Sequence, residues 1–422
     1  MGRNKKTKQK KTKKRPSGAR SKTRSLLEVR FETALAHDTA GRIDQARAAY
    51  GRLLGRDPGN AQVMYHLGVL LARSGRQAQA LEILQKAAET APEVAAVHLS
   101  LGNLFYLQGR MEEALGAFDR ARNLAPEMTE VHAGMASVHH RLRQPEAAIL
   151  ALERAVALAP TRADLVTNLA NTLHRQQRTD EAVAVLQAAV ARIPNNATLG
   201  HQLASLSGQA TPTAPAQFVR ETFDRLSSTF DRHLRDDLGY RTPEALRDLL
   251  SATVPEKQNF ARMVDLGCGT GLSGEAFQSL ARHITGIDLS EKMLALARDK
   301  GVYHELHCSG IVEALWEQSP PFDLFVAADV LVYMGDLSPL FQAIRQRSAP
   351  GALFLFSTES GTKKDWTLQT TGRYAHHLAY VQRLCQNVGF DLLAHRQETL
   401  RKEKGAWVMG DLFMVRRKEA AQ

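Results

Sequence analysis

Asp265, Gly267, Gly269, Gly271 and Asp288 are the residues of this chain whose types and spacing point most directly to chemistry. The run Met263-Val264-Asp265-Leu266-Gly267-Cys268-Gly269-Thr270-Gly271 takes an apolar strand into an acid and three alternating glycines. Glycine lets a backbone turn tightly and approach a ligand that any Cβ would push away. A second acid, Asp288, sits at the end of the next apolar run. At the carboxyl end of a strand in an open α/β sheet, such a carboxylate can take both hydroxyls of a ribose. The layout is that of a nucleotide-type cofactor site.

The spacing narrows the ligand. A dinucleotide fingerprint requires G-x-G-x-x-G, with its third glycine where this chain has Leu272, and a pyrophosphate favours a helix amino terminus free of a nearby carboxylate. Here the pattern is G-x-G-x-G with Asp265 just ahead of it. That acid repels a pyrophosphate and suits a ligand with no phosphate and a positive amino group or sulfonium, the character of S-adenosylmethionine. The elements that must position these residues are a buried parallel strand before Asp265, a helix over 272–282 and a second strand over 283–289.

DLGCGTG (265–271), GIDLSEKML (286–294) and FDLFVAADVLVYMGDL (322–337) follow one another in the order and spacing of a first, second and fourth strand. On these motifs residues 230–418 resemble a class I S-adenosylmethionine-dependent methyltransferase. More narrowly, FDRHL (230–234), LGYRTPE (238–244) and GRYAHHLAYVQRL (372–384) behind helical repeats resemble the bacterial methyltransferases that contain tetratricopeptide repeats. The resemblance implies that Asp265 and the backbone of Gly267, Cys268 and Gly269 face the methionine end, with Gly271 completing the turn. It also implies that Asp288 holds the ribose, that Leu289 and Met293 flank the adenine, and that Asp329 lines the pocket floor. Phe230 and Tyr240 resemble the lid over the cofactor. One position departs from the pattern: the acid that accepts from the adenine amino group is replaced by Gly310, which leaves that contact to backbone or to Ser309.

A sulfonium is already a strong methyl donor, so the protein has mainly to align a nucleophile and exclude water. A general base is needed only for an acceptor that carries a proton at neutral pH. The residues that could serve are His233, Tyr240, Tyr333, His376 and His377, each with a structural or cofactor-capping role as its alternative; the two last are expected to open the helix after the fifth strand. Patterns for methylating nucleic-acid amino groups, pyrimidine carbon 5 or catechols with a divalent metal are missing, and no metal site is expected. A protein group delivered by the repeats, or a small molecule on a carrier, remains as acceptor. The competing readings are a non-catalytic cofactor-sensing scaffold and an RNA- or ribosome-associated assembly factor.

The other half of the chain is periodic. Pro58, Pro92, Pro126, Pro160 and Pro194 recur every 34 residues, as do Ala46, Ala80, Ala114, Ala148 and Ala182. Small residues hold one position of that frame (Ala34, Gly68, Gly102, Ala136, Ala170) and large ones another (Tyr50, Leu84, Phe118, Leu152, Leu186). This is the tetratricopeptide signature, two helices per unit that bury their apolar faces only by stacking. Five repeats fit, at 27–60, 61–94, 95–128, 129–162 and 163–196, with a capping helix over 197–207. The expected organisation is therefore a basic tail (1–26), an all-α repeat solenoid (27–208), a linker (209–217) and an α/β Rossmann-like methyltransferase domain (218–422).

The repeat groove implies a protein or peptide partner. Twelve Lys and Arg and no acid fall within residues 1–25, so the net charge of +11 belongs to that segment and the rest is close to neutral. The segment reads as a disordered arm, either merely solubilising or binding RNA or another acidic partner. No apolar run is long enough for a membrane span, and three scattered cysteines form no disulfide framework, so a cytoplasmic protein is expected.

Overall fold

The computed structural model describes residues 26–226, 230–257, 259–317, 321–362, 365–403 and 405–419. The basic segment 1–25, with the disorder expected of it, lies outside them. The described residues divide between two compact units on either side of Arg154 and Ala155.

The first unit contains α1 (Leu26–Thr39), α2 (Ile43–Leu54), α3 (Ala61–Arg73), α4 (Gln77–Thr90), α5 (Ala95–Leu107), α6 (Met111–Leu124), α7 (Thr129–Arg141) and the start of α8 (Pro145–Leu158). The small and large positions of the 34-residue frame meet. A Cβ at Gly102 would lie 2.6 Å from the Phe118 ring, and one at Gly68 would lie 2.5 Å from Leu84, so each large side chain fills the space that the small residue leaves. A further relation recurs at the same interval: His98 Nε2 bonds Pro92 O at 2.8 Å, and His132 Nε2 bonds Pro126 O at 2.9 Å. The prolines thus end one helix and, through their carbonyls, anchor the next.

The second unit continues through α9 (Ala163–Arg175), α10 (Thr179–Arg192), α11 (Ala197–Ser207) and α12 (Ala216–Leu226), then α13 (Phe230–Arg232), a π-helical turn (His233–Asp237) and α14 (Thr242–Thr253). An α/β fold follows: β1 (Phe260–Leu266), α15 (Leu272–Phe277), β2 (Ala281–Asp288), α16 (Glu291–Asp299), β3 (Glu305–Cys308), α17 (Ile311–Glu317), β4 (Phe322–Ala327), α18 (Ser338–Arg347), β5 (Ser348–Ser360), β6 (Trp366–Leu368), β7 (Tyr374–His376), α19 (Leu378–Val388), β8 (Phe390–Glu403) and β9 (Ala406–Arg417). Strands β3-β2-β1-β4-β5 are parallel in that order; β9 pairs antiparallel with β5 and β8 with β9, while the β7–β6 hairpin joins the far end of β5.

Both faces of the sheet are covered, as its nearly unbroken apolar strands require. In β4 and β5, Phe325, Ala327, Phe354 and Phe356 pack with Phe341 and Phe413 on one face. Leu324, Val326, Leu353 and Leu355 pack with Leu246 and Phe277 on the other.

Two expectations are corrected. The helix expected over 272–282 stops at Phe277, because Leu280 N donates to Phe277 O and Leu280 O then accepts from Phe260 N at the start of β1. Ala281 pairs with Phe260, so β1 recruits the residues that helical periodicity had assigned to the helix. The segment 209–217 is no free linker. Pro212 O accepts from Gly335 N and Asp336 N at 2.9 and 2.8 Å, Ala214 N donates to Tyr333 O at 2.9 Å, and Thr213 bridges Met334. The Thr211 and Tyr374 hydroxyls bond at 2.6 Å, and His201 of α11 reaches Gly372 O at 2.9 Å. Proline lacks an N–H, but its carbonyl is enough to pair with the loop after β4.

Candidate active site

A cavity of about 600 Å³ opens beyond the carboxyl ends of β1, β2 and β4. Its base is the glycine turn. Gly267 sits at φ +69°, and a Cβ there would lie 2.4 Å from Val330, so no other residue fits without displacing the segment after β4. At Gly269, with φ +54°, the nearest atom to an added Cβ is on the Phe230 ring, 3.9 Å away. That cradle is open toward the cavity.

Asp288 ends β2 and lines the cavity. Its two oxygens accept from Gly269 N at 2.9 Å and Ser290 N at 2.8 Å, so it fixes the turn while keeping further lone pairs. Burial raises its pKa, and the backbone N–H groups of Ser290 and Gly269 act against that rise. Asp265 lies beneath the turn, 1% exposed. Tyr303 holds it: the phenol donates to Asp265 Oδ2 at 2.6 Å and accepts from Gly274 N at 3.2 Å, while Asp265 Oδ1 has no partner among the described residues. Burial pushes the Asp265 carboxyl up to about 7 against the pull of the Tyr303 hydrogen bond. Burial raises the Cys268 thiol too, with Asp265 and Asp288 adding to the effect, so this cavity-lining cysteine stays a neutral packing residue.

Of the other expected cofactor residues, Leu289, Gly310, Asp329, Phe230 and Tyr240 line the cavity, whereas Met293, Ser309 and Gly271 do not. Met293 is fully buried in the first turn of α16, its N–H capped by Ser290 Oγ, so it cannot flank a ligand as expected. The Ser309 N–H extends the strand end, donating to Asp288 O. An acid stands three residues after Gly310. A Cβ at Gly310 would lie 2.1 Å from Glu313 Oε2, so the Glu313 carboxylate occupies the space above the glycine, and Glu313 lines the cavity.

Helix α12 and the segment after it form the opposite wall. Phe223 meets Phe230 and Tyr333 edge-on, at 5.8 and 5.5 Å between ring centroids. Asp224 accepts from Ser290 Oγ, and Asp231 accepts from Thr270 Oγ1 and pairs with Lys300 at 2.9 Å.

The residues considered as bases fare differently. His376 ends β7, 1% exposed, with Nε2 bonded to Gly335 O at 3.1 Å and its pKa lowered by burial to about 4. His377 caps α19, its Nδ1 accepting from Ala379 N at 3.1 Å. Neither lines the cavity, so their candidacy as base is corrected: the His376 ring stacks on Tyr380 of α19, and His377 caps that same helix. Tyr240 and Tyr333 do line it, but burial raises the Tyr240 phenol well above its usual range and pushes Tyr333 up to about 12, so both stay neutral phenols at neutral pH and neither is a ready base. The His233 side chain lies outside the described residues.

Sequence reasoning also missed a buried charge cluster at the far end of the cavity. Asp329, held at φ +60°, accepts from Arg401 Nη1 with both oxygens at 2.5 Å. Arg401 also pairs with Glu359, Arg373 Nε donates to Glu359 at 2.8 Å, and Arg373 Nη2 pairs with Glu403. Asp329, Arg373 and Arg401 line the cavity. Their separation along the chain leaves no local pattern to read.

Comparison with known proteins agrees with this geometry. The family description "Methyltransferase domain" matches residues 238–395, and "Tetratricopeptide repeat" matches 31–94, 71–138 and 139–206. A ubiquinone biosynthesis O-methyltransferase of Xylella fastidiosa (strain 9a5c) is 30% identical over 172 residues, which cover 36% of this chain and 70% of that protein. Its counterpart in strain M23 is 26% identical over 171 residues, 37% and 70% of the two chains. Among solved structures, the N-methyltransferase NodS of Bradyrhizobium japonicum WM9 with S-adenosyl-L-homocysteine shares 18% identity at a TM-score of 0.39, covering 48% of this chain and 99% of that one. MamA of Desulfovibrio magneticus RS-1 shares 15% at 0.37, covering 40% and 96%. Sheet, glycine turn and relatives together are those of class I S-adenosylmethionine-dependent methyltransferases. The chain belongs to this family, in the branch that carries tetratricopeptide repeats.

The residues present suit that cofactor: a glycine cradle that a Cβ would fill and a carboxylate at the end of β2; Asp265, expected to face the methionine end, lies under the turn outside the cavity lining, with one buried oxygen that has no donor among the described residues. The last has a pH consequence. The folded-state pKa of Asp265 lies above its ordinary 3.8, so the fold favours the neutral acid; the stability this gives is complete below about pH 4 and lost as pH rises through about 7. Without cofactor, the protein is expected to lose more stability across that window than the Asp265→Asn variant, measured by urea unfolding at each pH. Parallel pH profiles would contradict the assignment.

Proposed function

We propose that this methyltransferase modifies a group on a protein, or on a carrier, that the tetratricopeptide repeats recruit. The observation that supports the reading is the path of the chain out of the last repeat helices. From α11 it runs directly into Thr213, Ala214, Pro215, Ala216, Val219 and Phe223, which form one wall of the cavity, so the repeat end and the acceptor wall are one continuous piece of backbone. Asp288 binds the ribose, Glu313 accepts from the adenine amino group in place of the acid absent at Gly310, and Phe230 and Tyr240 cover the cofactor. The bound cofactor supplies an activated methyl group; the chain supplies alignment and dryness. The relatives' names favour an oxygen nucleophile.

Proteins captured on the full-length chain and incubated with methyl-labelled cofactor test this directly. Label is expected on a captured protein or its attached carrier, and none when Asp288→Ala replaces the parent chain. Label confined to free small molecules, whether or not partners are captured, would overturn recruitment by the repeats.

A further inference from the structure

The acceptor end of the cavity contains an asymmetry of hydrogen-bonding groups that names a chemical class. Its carboxylates are committed: Asp329 is chelated by Arg401, and Glu359, 3% exposed at its side chain, is shared by Arg401 and Arg373. Asp336 accepts from Ser338 N and from the Tyr380 hydroxyl. Two donors are uncommitted. Arg373 uses Nε and Nη2 on Glu359 and Glu403, and its Nη1 makes no hydrogen bond among the described residues; the Tyr333 hydroxyl makes none either. Both side chains line the cavity, and Arg373 acts on the Tyr333 phenol more strongly than any other neighbouring charge.

The same end lacks a base. Among the described cavity residues no histidine is present, Asp329 is neutralised by its arginine, and hydrogen bonds hold the Asp336 carboxyl below its ordinary value despite burial. Among the described residues at this end, an alcohol or phenol acceptor would find only the hydrogen-bonded, weakly basic Asp336 carboxylate to take its proton. A carboxylate has none to lose at neutral pH.

We propose that the acceptor is a carboxylate, gripped by Arg373 Nη1 and the Tyr333 hydroxyl, and that the product is a methyl ester. The inference rests on the methyl-transfer reading and specifies its substrate. One carboxylate oxygen stays in the grip while the other attacks the methyl carbon; the new C–O bond forms as the C–S bond breaks, the electron pair goes to sulfur, and no proton moves. The guanidinium, whose charge is already shared with Glu359 and Glu403, supplies its remaining N–H, and the tyrosine, pushed up to about 12, supplies a second hydrogen bond without competing for the methyl group. The walls beside the pair, Phe223, Val219 and Met334, ask for an apolar body behind that head.

Calorimetry of the full chain saturated with S-adenosyl-L-homocysteine, using 4-phenylbutyrate, its amide and 4-phenylbutylamine as probes, tests the grip. The acid is expected to bind roughly tenfold or more tighter than the amide, as a charge-assisted pair implies. That preference should vanish in Arg373→Gln and fall several-fold in Tyr333→Phe, a variant that keeps the ring against Phe223, while S-adenosyl-L-homocysteine binding shows each cleft to be intact. Equal affinity for acid and amide, no binding of the acid, or tightest binding of the amine would overturn the proposal and leave the methyltransferase reading standing. A parent chain that fails to bind S-adenosyl-L-homocysteine would overturn both. As a second readout, label transferred to captured protein should be released by mild alkali as volatile methanol; alkali-stable label refutes the ester.

Discussion

Replacing Arg401 with methionine is expected to destabilise the sheet-containing unit by about 3–5 kcal/mol, the usual cost of stripping the partner from buried charges. The Arg401 side chain is 7% exposed and bridges Asp329, 14% exposed, to Glu359, 3% exposed. Without it Glu359 keeps Arg373, but Asp329 loses its only ion-pair partner among the described residues. The three tryptophans, Trp316, Trp366 and Trp407, all belong to this unit, so their fluorescence during urea unfolding reports on it alone. Adding Asp329→Asn should recover part of the loss by removing the orphaned charge. A cost below about 1 kcal/mol for the single substitution would mean that water already screens the pair.

Asp288→Ala is expected to weaken cofactor binding by about 2–4 kcal/mol, roughly 30- to 1,000-fold. Two effects add. The substitution removes the proposed carboxylate for the ribose, and it frees Gly269 N and Ser290 N, which shape the turn and the start of α16. Glu313→Gln should cost less, about 1 kcal/mol, because Glu313 is exposed and retains a carbonyl acceptor after the change. Equilibrium dialysis with labelled cofactor ranks the two. An order reversed, or Asp288→Ala binding like the parent chain, would move the ribose away from β2.

Elements set by local rules were legible in the sequence. The 34-residue frame specifies small-on-large contacts such as Gly102 against Phe118, and the glycine turn with its two flanking acids specifies the cofactor cleft. Residues brought in by long connections were not. Tyr303 reaches Asp265 from 38 residues away, and Arg401 reaches Asp329 from 72. Nothing at Tyr303 or Arg401 marks them, because a lone tyrosine or arginine is ordinary in any strand or loop. Glu313 was within reach: an acid one turn after an aberrant glycine, on a helix whose first turn points back over the strand end. His376 and His377 misled for the opposite reason, since adjacency in sequence suggested shared duty while a strand end and a helix cap divide them. The proline- and threonine-rich stretch after α11 looked like a tether by composition, but composition does not count the one carbonyl that Pro212 lends to both Gly335 and Asp336.

The cleft formed by the glycine turn, Asp288 and the α12–α13 wall is expected to hold S-adenosylmethionine. Calorimetric titration of S-adenosyl-L-homocysteine into the full-length chain measures it most directly. The prediction is saturable binding at one site per chain, with affinity rising as pH passes upward through about 7, where the Asp265 carboxyl beneath the glycine turn ionises and its charge acts on the ligand's ammonium through the turn. The absence of saturable binding, or binding untouched by Gly267→Val, whose side chain would collide with Val330, would contradict it.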